Sequence, residues 1–274
     1  MPGYGPVGRE GLGDRRRGSG VAGVPWVDWG GRNRGGVLSV LCGIVSFDAR
    51  PVGEDRIRRM TEAARDRTPD GQRWCVGDGM ALGFGALNTT VESRRSRQPL
   101  EDGRRGLCLG FAGRLDSRRE LERQLGIAGH DQRRSADAEL VLEAWARWRA
   151  SCLEKISGDF ALAVWDRDRH QLVCARDLIG TRPLFYFQGE HSFYFASEIR
   201  QLLVLPEVPR RPNQGMIGEY LVSRMSSHSE TQFEGILRLP PATMLRVADG
   251  RITLSRFWDP NDVPQLGYRH DTEY

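Results

Sequence analysis

The chain has 274 residues, 39% hydrophobic and 28% charged, which is typical of a globular protein with one large domain or two small ones. Six arginines and three acidic residues in 1–41 account for most of the net charge of +4, so the remainder is nearly neutral and a nucleic-acid partner is not indicated. No apolar run has the length of a membrane span, and residues 1–41 lack a secretory apolar segment. We therefore expect a cytoplasmic protein with no membrane partner.

The cysteines and histidines show no ligand spacing. The five cysteines are far apart and include no Cys-x-x-Cys pair, which excludes a zinc ribbon and makes a disulfide framework unexpected; they are Cys42, Cys75, Cys108, Cys152 and Cys174. The five histidines are also irregularly placed. We predict no metal site in this chain.

Residues 1–41 repeat Gly, Arg, Pro and Val without a period, which is typical of a disordered tail. Three origins stay open: a propeptide, upstream sequence translated from a start codon chosen too early, or a retained functional tail. Leu41 fits the second origin, because a leucine-type codon can serve as a bacterial start. Removal of that residue would leave Cys42 first.

Regular patterns begin at Gly43. Helical spacing predicts helices over 55–66, 117–125, 137–148 and 214–222, and residues 117–120 have the form of a capping box. Strand patterns cover 43–48, 74–76, 80–84, 106–111, 159–165, 171–175, 184–187, 193–196, 244–247 and 252–254. Short polar turns between these strands favour antiparallel sheets. Residues 259–274 are polar and turn-rich and are predicted to be a linker.

Several motifs then carry a resemblance. They are CGI at 42–44, RTPDG at 67–71, SGDFALAVWD at 157–166, CARDLIGTRPLFY at 174–186, FASEI at 195–199 and RLPPA at 238–242. Together they resemble the class II glutamine amidotransferase domain of the asparagine synthetase family over residues 42–258. Residues 89–100 and 110–116 are more similar to a divergent subgroup, the lasso-peptide cyclases.

The resemblance implies an α+β N-terminal-nucleophile hydrolase fold, a four-layer αββα sandwich of two antiparallel sheets. It implies that the thiolate of Cys42 attacks the side-chain amide of L-glutamine and that the α-amino group of the same residue moves the proton. The backbone N–H of Gly113 would stabilise the oxyanion. Asp137, Leu87 and Arg114 fall at substrate-binding positions, with Asp137 receiving the α-amino group.

Two family groups are missing. Ala86 stands where the family has the arginine that binds the substrate carboxylate, and Ala112 stands where it has the asparagine donor of the oxyanion hole. Loss of one oxyanion donor typically costs about 2.7–4 kcal/mol, and loss of the charged carboxylate partner a further ~2–5 kcal/mol. Arginines at 94, 95 and 97 are candidate replacements, or simply a solvated loop.

Each site residue also has a structural interpretation. Cys42 fits a buried thiol at the head of a core strand. Asp137 fits the start of a helix, where a carboxylate is favoured by the helix dipole. Gly113 fits a turn after a strand.

Two functional hypotheses follow. In the first, the domain is the glutaminase of an asparagine synthase (glutamine-hydrolysing)-like protein and supplies ammonia for ATP-dependent amide formation. In the second, it is a degenerate scaffold for an amide-forming enzyme such as a lasso-peptide cyclase. The chain lacks the Ser-Gly-Gly-x-Asp-Ser loop of the synthetase half. We therefore expect no cofactor here, and ATP and Mg only in a synthetase domain or partner chain.

Overall fold

The computed structural model describes residues 38–48, 50–77, 79–127 and 135–263. Most of the predicted tail (1–37) and most of the predicted linker (264–274) lie outside them. The described residues form two antiparallel sheets of six strands each. In the first sheet the order is β10-β8-β9-β1-β3-β2, and in the second it is β12-β11-β7-β6-β5-β4.

The strands, in chain order, are β1 Val40–Ser46, β2 Gln72–Gly77, β3 Met80–Gly85, β4 Leu100–Asp102, β5 Leu107–Leu115, β6 Gly158–Asp166, β7 Gln171–Arg176, β8 Phe185–Gln188, β9 Ser192–Ala196, β10 Ile236–Arg238, β11 Thr243–Ala248 and β12 Arg251–Arg256. The helices are α1 Glu54–Glu62, α2 Arg118–Leu125, α3 Asp137–Trp148, α4 Ile199–Leu203 and α5 Gln214–Leu221. Short 3₁₀ segments lie at Arg65–Arg67, Ser93–Arg95, Arg149–Glu154 and Pro260–Asp262.

Three apolar cores define the layers. One lies between the two sheets and includes Leu41, Leu82 and Ala161. A second joins the outer face of the second sheet to α2 and α3. A third joins the outer face of the first sheet to α1 and α4. The order helix, sheet, sheet, helix confirms the predicted αββα sandwich.

The structure departs from the sequence prediction at three places that matter for the site. Strand β1 begins at Val40, so the predicted boundary at residue 42 lies inside it. Strand β5 continues to Leu115, so the interpretation of Gly113 as a turn residue after a strand is wrong. The predicted capping box at 117–120 is also wrong. The Ser117 side chain makes no hydrogen bond to the first turn of α2, and Glu120 pairs with Arg123 instead.

The ARD motif is explained by a buried polar corner after β7. Arg176 donates to the carbonyl oxygens of Arg182, Leu239 and Gly180. Asp177, 1% exposed, accepts from backbone N–H groups of the 179–182 turn and from the Thr181 hydroxyl at 2.7 Å. A single carboxylate therefore satisfies donors that would otherwise be buried without partners.

We predict that Asp177→Ala lowers the free energy of unfolding by about 3 kcal/mol or more, because several buried donors lose their acceptor at once. Asp55→Ala is the control, since Asp55 is exposed and its carboxylate pairs with Arg58 of its own helix. It should change stability by less than about 1 kcal/mol. Denaturant unfolding of both variants measures the difference, and equal midpoints would contradict this role of Asp177.

Candidate active site

Two adjoining cavities open at the end of the sandwich where β3 and β5 finish. The inner one has a volume of about 60 Å³ and the outer one about 460 Å³. Both are lined by Ser39, Leu87, Thr89, Gly113 and Arg114, and the inner one also reaches Asp137. Four of the five predicted site residues therefore meet around one space, although they come from distant parts of the sequence.

Strand geometry turns the backbone of Gly113 toward this space. Along β5 the N–H groups of Phe111 and Leu115 point away from β6, to the Gln98 side-chain oxygen (2.6 Å) and to Asp137 Oδ2 (2.9 Å). Gly113 lies midway between them in the strand, and alternate residues direct their backbone groups to the same side. The N–H of Gly113 therefore faces the cavity, between the Gln98 side chain and the Asp137 carboxylate.

Glycine is required at 113 by a close approach of two strands. Gly113 pairs with Phe160 on β6, and a Cβ at 113 would lie 2.6 Å from the Phe160 Cβ and would overlap the Asp159 carbonyl oxygen. Any larger residue would push the strands apart. This packing accounts for the glycine without reference to catalysis.

Asp137 is the first residue of α3, and both its oxygens have partners. Oδ2 accepts from Leu115 N, and Oδ1 accepts from Arg118 at 2.7 Å. Ala136 is the N-cap, and its N–H is capped by Glu139 at 3.0 Å. Asp137 therefore ties the start of α3 to the end of β5, and it still borders the inner cavity.

Ser39, which the sequence analysis did not single out, occupies the other side of the site. Its hydroxyl donates to the carbonyl oxygen of Leu87 at 3.1 Å and accepts from the N–H of Leu87 at 3.0 Å. Both backbone groups of Leu87 are thus engaged by one side chain. The sequence feature that could have indicated an ordered role for Ser39 is the apolar run 37–41, which contains this residue and continues directly into β1.

Cys42 does not line either cavity. The side chains of β1 alternate, so Leu41 enters the core between the sheets while Cys42 faces α1. Its thiol is fully buried, 3.5 Å from Thr61 Oγ1, in space left by Gly83. Burial raises the pKa of Cys42 to about 12, against smaller lowering effects of hydrogen bonds from Thr61 and Gly83.

Hydroxyl and amide groups supply most of the remaining polar lining. They belong to Asn88, Thr89, Thr90, Ser93, Ser96 and Gln98. The hydroxyl of Ser96 is buried and has no hydrogen-bond partner among the described residues. A polar ligand in the inner cavity would meet neutral donors and acceptors here.

The arginines around the site differ in position. Arg114 is 69% exposed and lies 3.6 Å from Asp116 at the mouth of the outer cavity. Arg182 lines the same mouth. The arginines at 94, 95 and 97 are exposed and line neither cavity. Ala86 follows β3 and packs against the core between the sheets.

No three His, Cys, Asp or Glu side chains in the described part of the chain are grouped so as to hold a metal ion. No helix within the described ranges has the length and apolar character needed to cross a membrane.

Comparison with known proteins places these features in a family context. A family model described as a glutamine amidotransferase domain matches residues 41–258. Asparagine synthetase [glutamine-hydrolyzing] 3 of Bacillus subtilis is 30% identical over 80% of this chain and 37% of its own length. A putative asparagine synthetase of Mycobacterium tuberculosis is 28% identical over 80% of this chain and 37% of its own. The chain thus spans little more than a third of these relatives.

Two solved structures share the fold. The glutamine phosphoribosylpyrophosphate amidotransferase of Bacillus subtilis, complexed with ADP and GMP, aligns with a TM-score of 0.54 and 16% identity over 80% of this chain and 49% of its own. An allosteric regulatory enzyme of purine biosynthesis aligns with a TM-score of 0.52 and 17% identity, also over 80% of this chain and 49% of its own. These similarities confirm the N-terminal-nucleophile hydrolase fold.

We predict that Cys42 of the intact chain resists iodoacetamide under native conditions. A pKa raised from 9.0 to about 12 lowers the thiolate fraction near neutral pH about a thousandfold, and the thiol is also inaccessible. Half-buried Cys75 is the internal control and should be labelled first. Peptide mapping after timed labelling gives both rates, and labelling of Cys42 as fast as Cys75 would contradict the buried placement.

Proposed function

Because the chain belongs to the glutamine amidotransferase domain family, we propose that it hydrolyses the side-chain amide of L-glutamine once residues 1–41 are removed, with Cys42 as the nucleophile. The observation that carries this proposal is the pocket lined by Leu87, Gly113 and Asp137, in which Ser39 of the preceding segment occupies both backbone groups of Leu87. In the uncut chain the nitrogen of Cys42 is an amide and cannot act as a base.

Removal of the segment would change three things around the new terminus. Loss of Ser39 frees the N–H and C=O of Leu87. Loss of Leu41 frees Ser197, whose hydroxyl and N–H now bond to the backbone of that residue at 3.0 and 2.8 Å. It also empties a fully buried leucine site in the core between the sheets. The new terminus at Cys42 would then lie next to vacated space and could turn its thiol toward the cavity.

The chemistry assigns a role to each group. The α-amino group of Cys42, with an ordinary pKa of about 7.7–8.0, takes the thiol proton as sulfur attacks the amide carbon. The N–H of Gly113 stabilises the oxyanion. Asp137 accepts hydrogen bonds from the substrate α-ammonium group, and the freed backbone N–H and C=O of Leu87 bond to the main-chain atoms of the glutamine. Arg114 lies at the mouth, where its guanidinium can meet the substrate carboxylate.

We assign the ammonia produced to an ATP-dependent amide-forming reaction, as in an asparagine synthase. That reaction needs ATP and Mg in a synthetase domain or partner chain in the reducing cytoplasm. The support is the similarity to glutamine-hydrolysing asparagine synthetases, which are far longer than this chain.

A second candidate is a catalytically inactive scaffold for such an amide-forming partner. Ala86 and Ala112 favour it, because the carboxylate-binding arginine and the side-chain oxyanion donor are both absent. Ala86 packs into the core and offers no charge to the pocket. The two candidates differ in one measurable property, the glutamine-dependent release of ammonia.

We predict that a chain beginning at Cys42 releases ammonia from glutamine at least about 100-fold faster than one beginning at Leu41, since only the first has a free amine on the nucleophile residue. The rate should rise from pH 7 to 9 as that amine loses its proton. Ammonia release at saturating glutamine is the measurement.

Two further chains complete the comparison. Cys42→Ala in the chain that begins at residue 42 should abolish the activity, and the full chain from Met1 should match the chain that begins at Leu41. Equal, background rates in all four would reject the glutaminase and leave the scaffold. Equal, substantial rates in the Leu41 and Cys42 chains would show that the amine is not the base.

A further inference from the structure

Two thiols touch at the end of the sandwich opposite the pocket. The sulfur atoms of Cys75 on β2 and Cys108 on β5 are 2.9 Å apart, and both side chains belong to the core between the sheets. Non-bonded sulfur atoms normally keep a greater separation, whereas a disulfide needs about 2.05 Å. Since β2 is in the first sheet and β5 in the second, a bond between them would connect the two sheets.

The pair is reachable by a small oxidant. Cys75 is half-buried at the sheet edge and Cys108 is buried behind it. A cavity of about 40 Å³ is bordered by both cysteines and by glycines 77, 103 and 106. Space of this size admits a molecule about as large as water or hydrogen peroxide.

The other three cysteines differ from this pair. Cys42, Cys152 and Cys174 are fully or almost fully buried, and none is paired with a second thiol among the described residues. Burial raises the pKa of Cys152 to about 12 and also raises that of Cys174. The contact with Cys75 and burial raise the pKa of Cys108 as well, so what distinguishes the pair is the contact between two thiols, not a lower pKa.

The segment between the two thiols carries one wall of the candidate pocket. Residues 76–107 include β3, Leu87, the hydroxyl-rich loop to Gln98 and β4. Cys108 itself lies on β5, the strand that holds Gly113. A covalent link would close this segment into a ring and restrict its unfolding.

We propose that Cys75 and Cys108 form a reversible disulfide under peroxide, an oxidation site that stabilises the pocket-bearing half of the sandwich. The Cys75 thiolate attacks one oxygen of hydrogen peroxide, so that an S–O bond forms, the O–O bond breaks and hydroxide leaves. The Cys108 thiol then attacks the Cys75 sulfur, the S–S bond forms, and the departing hydroxide takes the Cys108 proton and leaves as water. Two thiols and one peroxide give one disulfide and two waters.

Reduction reverses the step. A dithiol such as dithiothreitol takes the disulfide back to two thiols and is itself oxidised to its cyclic disulfide. In the reducing cytoplasm the thiol form would therefore be the resting state. The proposal is independent of the glutaminase activity, because neither cysteine lines the pocket.

Peptide mapping of the full chain tests it. After peroxide treatment and alkylation, trypsin should release residues 74–94 joined to residues 106–114, with the loss of two hydrogen atoms from the summed mass. Dithiothreitol should separate the two peptides. The Tm of the oxidised protein should exceed that of the reduced protein by about 5–10 °C.

Matched variants identify the pair. Cys75→Ser and Cys108→Ser should each abolish both the cross-link and the Tm increase. Cys152→Ala removes a buried thiol outside the pair and should retain both. Overoxidation of Cys75 with Cys108 still reduced, or a cross-link to a different cysteine, would overturn the proposal. If a serine variant fails to fold, mapping of the wild type alone still decides the result.

Discussion

The position of β1 in the middle of the first sheet is the constraint on which the site depends. The strand is bonded to β3 on one side and to β9 on the other, and it begins two residues before Cys42. Those two residues, Val40 and Leu41, are buried, and the hydroxyl of Ser39 ahead of them is hydrogen-bonded to the backbone of Leu87. With residues 38–41 in place, the start of β1 is well packed, the thiol of Cys42 is covered and Ser39 lines the pocket.

The pocket owes its shape to backbone geometry more than to charged side chains. Past the short strand β4, one edge of β5 has no neighbouring strand among the described residues. There the N–H of Phe111 donates to the Gln98 side chain and the N–H of Leu115 donates to the Asp137 carboxylate, and the N–H of Gly113 lies between them. In the proposed site the oxyanion donor is a backbone N–H, which does not depend on the side chains at positions 86 and 112. The proposed glutaminase therefore relies on Gly113 where Ala86 and Ala112 supply neither a charge nor a side-chain donor.

Periodicity predicted most strand positions and the full length of α3, because amphipathic patterns record which face is buried. The αββα layers were expected from the family resemblance. Periodicity failed where tertiary contacts determine the local structure. The alternative interpretation of Gly113 as a turn residue rests on the preference of glycine for turns, whereas its pairing with Phe160 places it inside β5. The start of β1 was missed because the Gly- and Arg-rich composition ahead obscured the apolar run 37–41. Ser39 belonged to that run, and no local pattern marks a side chain that binds residue 87.

The first residue of the mature protein, read by mass spectrometry from protein isolated from its own cells, tests this account most directly. A maturation that activates the site requires a peptide that begins at Cys42 with a free α-amino group. Recovery of residues from the 1–41 segment still joined to Cys42, in protein that releases ammonia from glutamine, would contradict it.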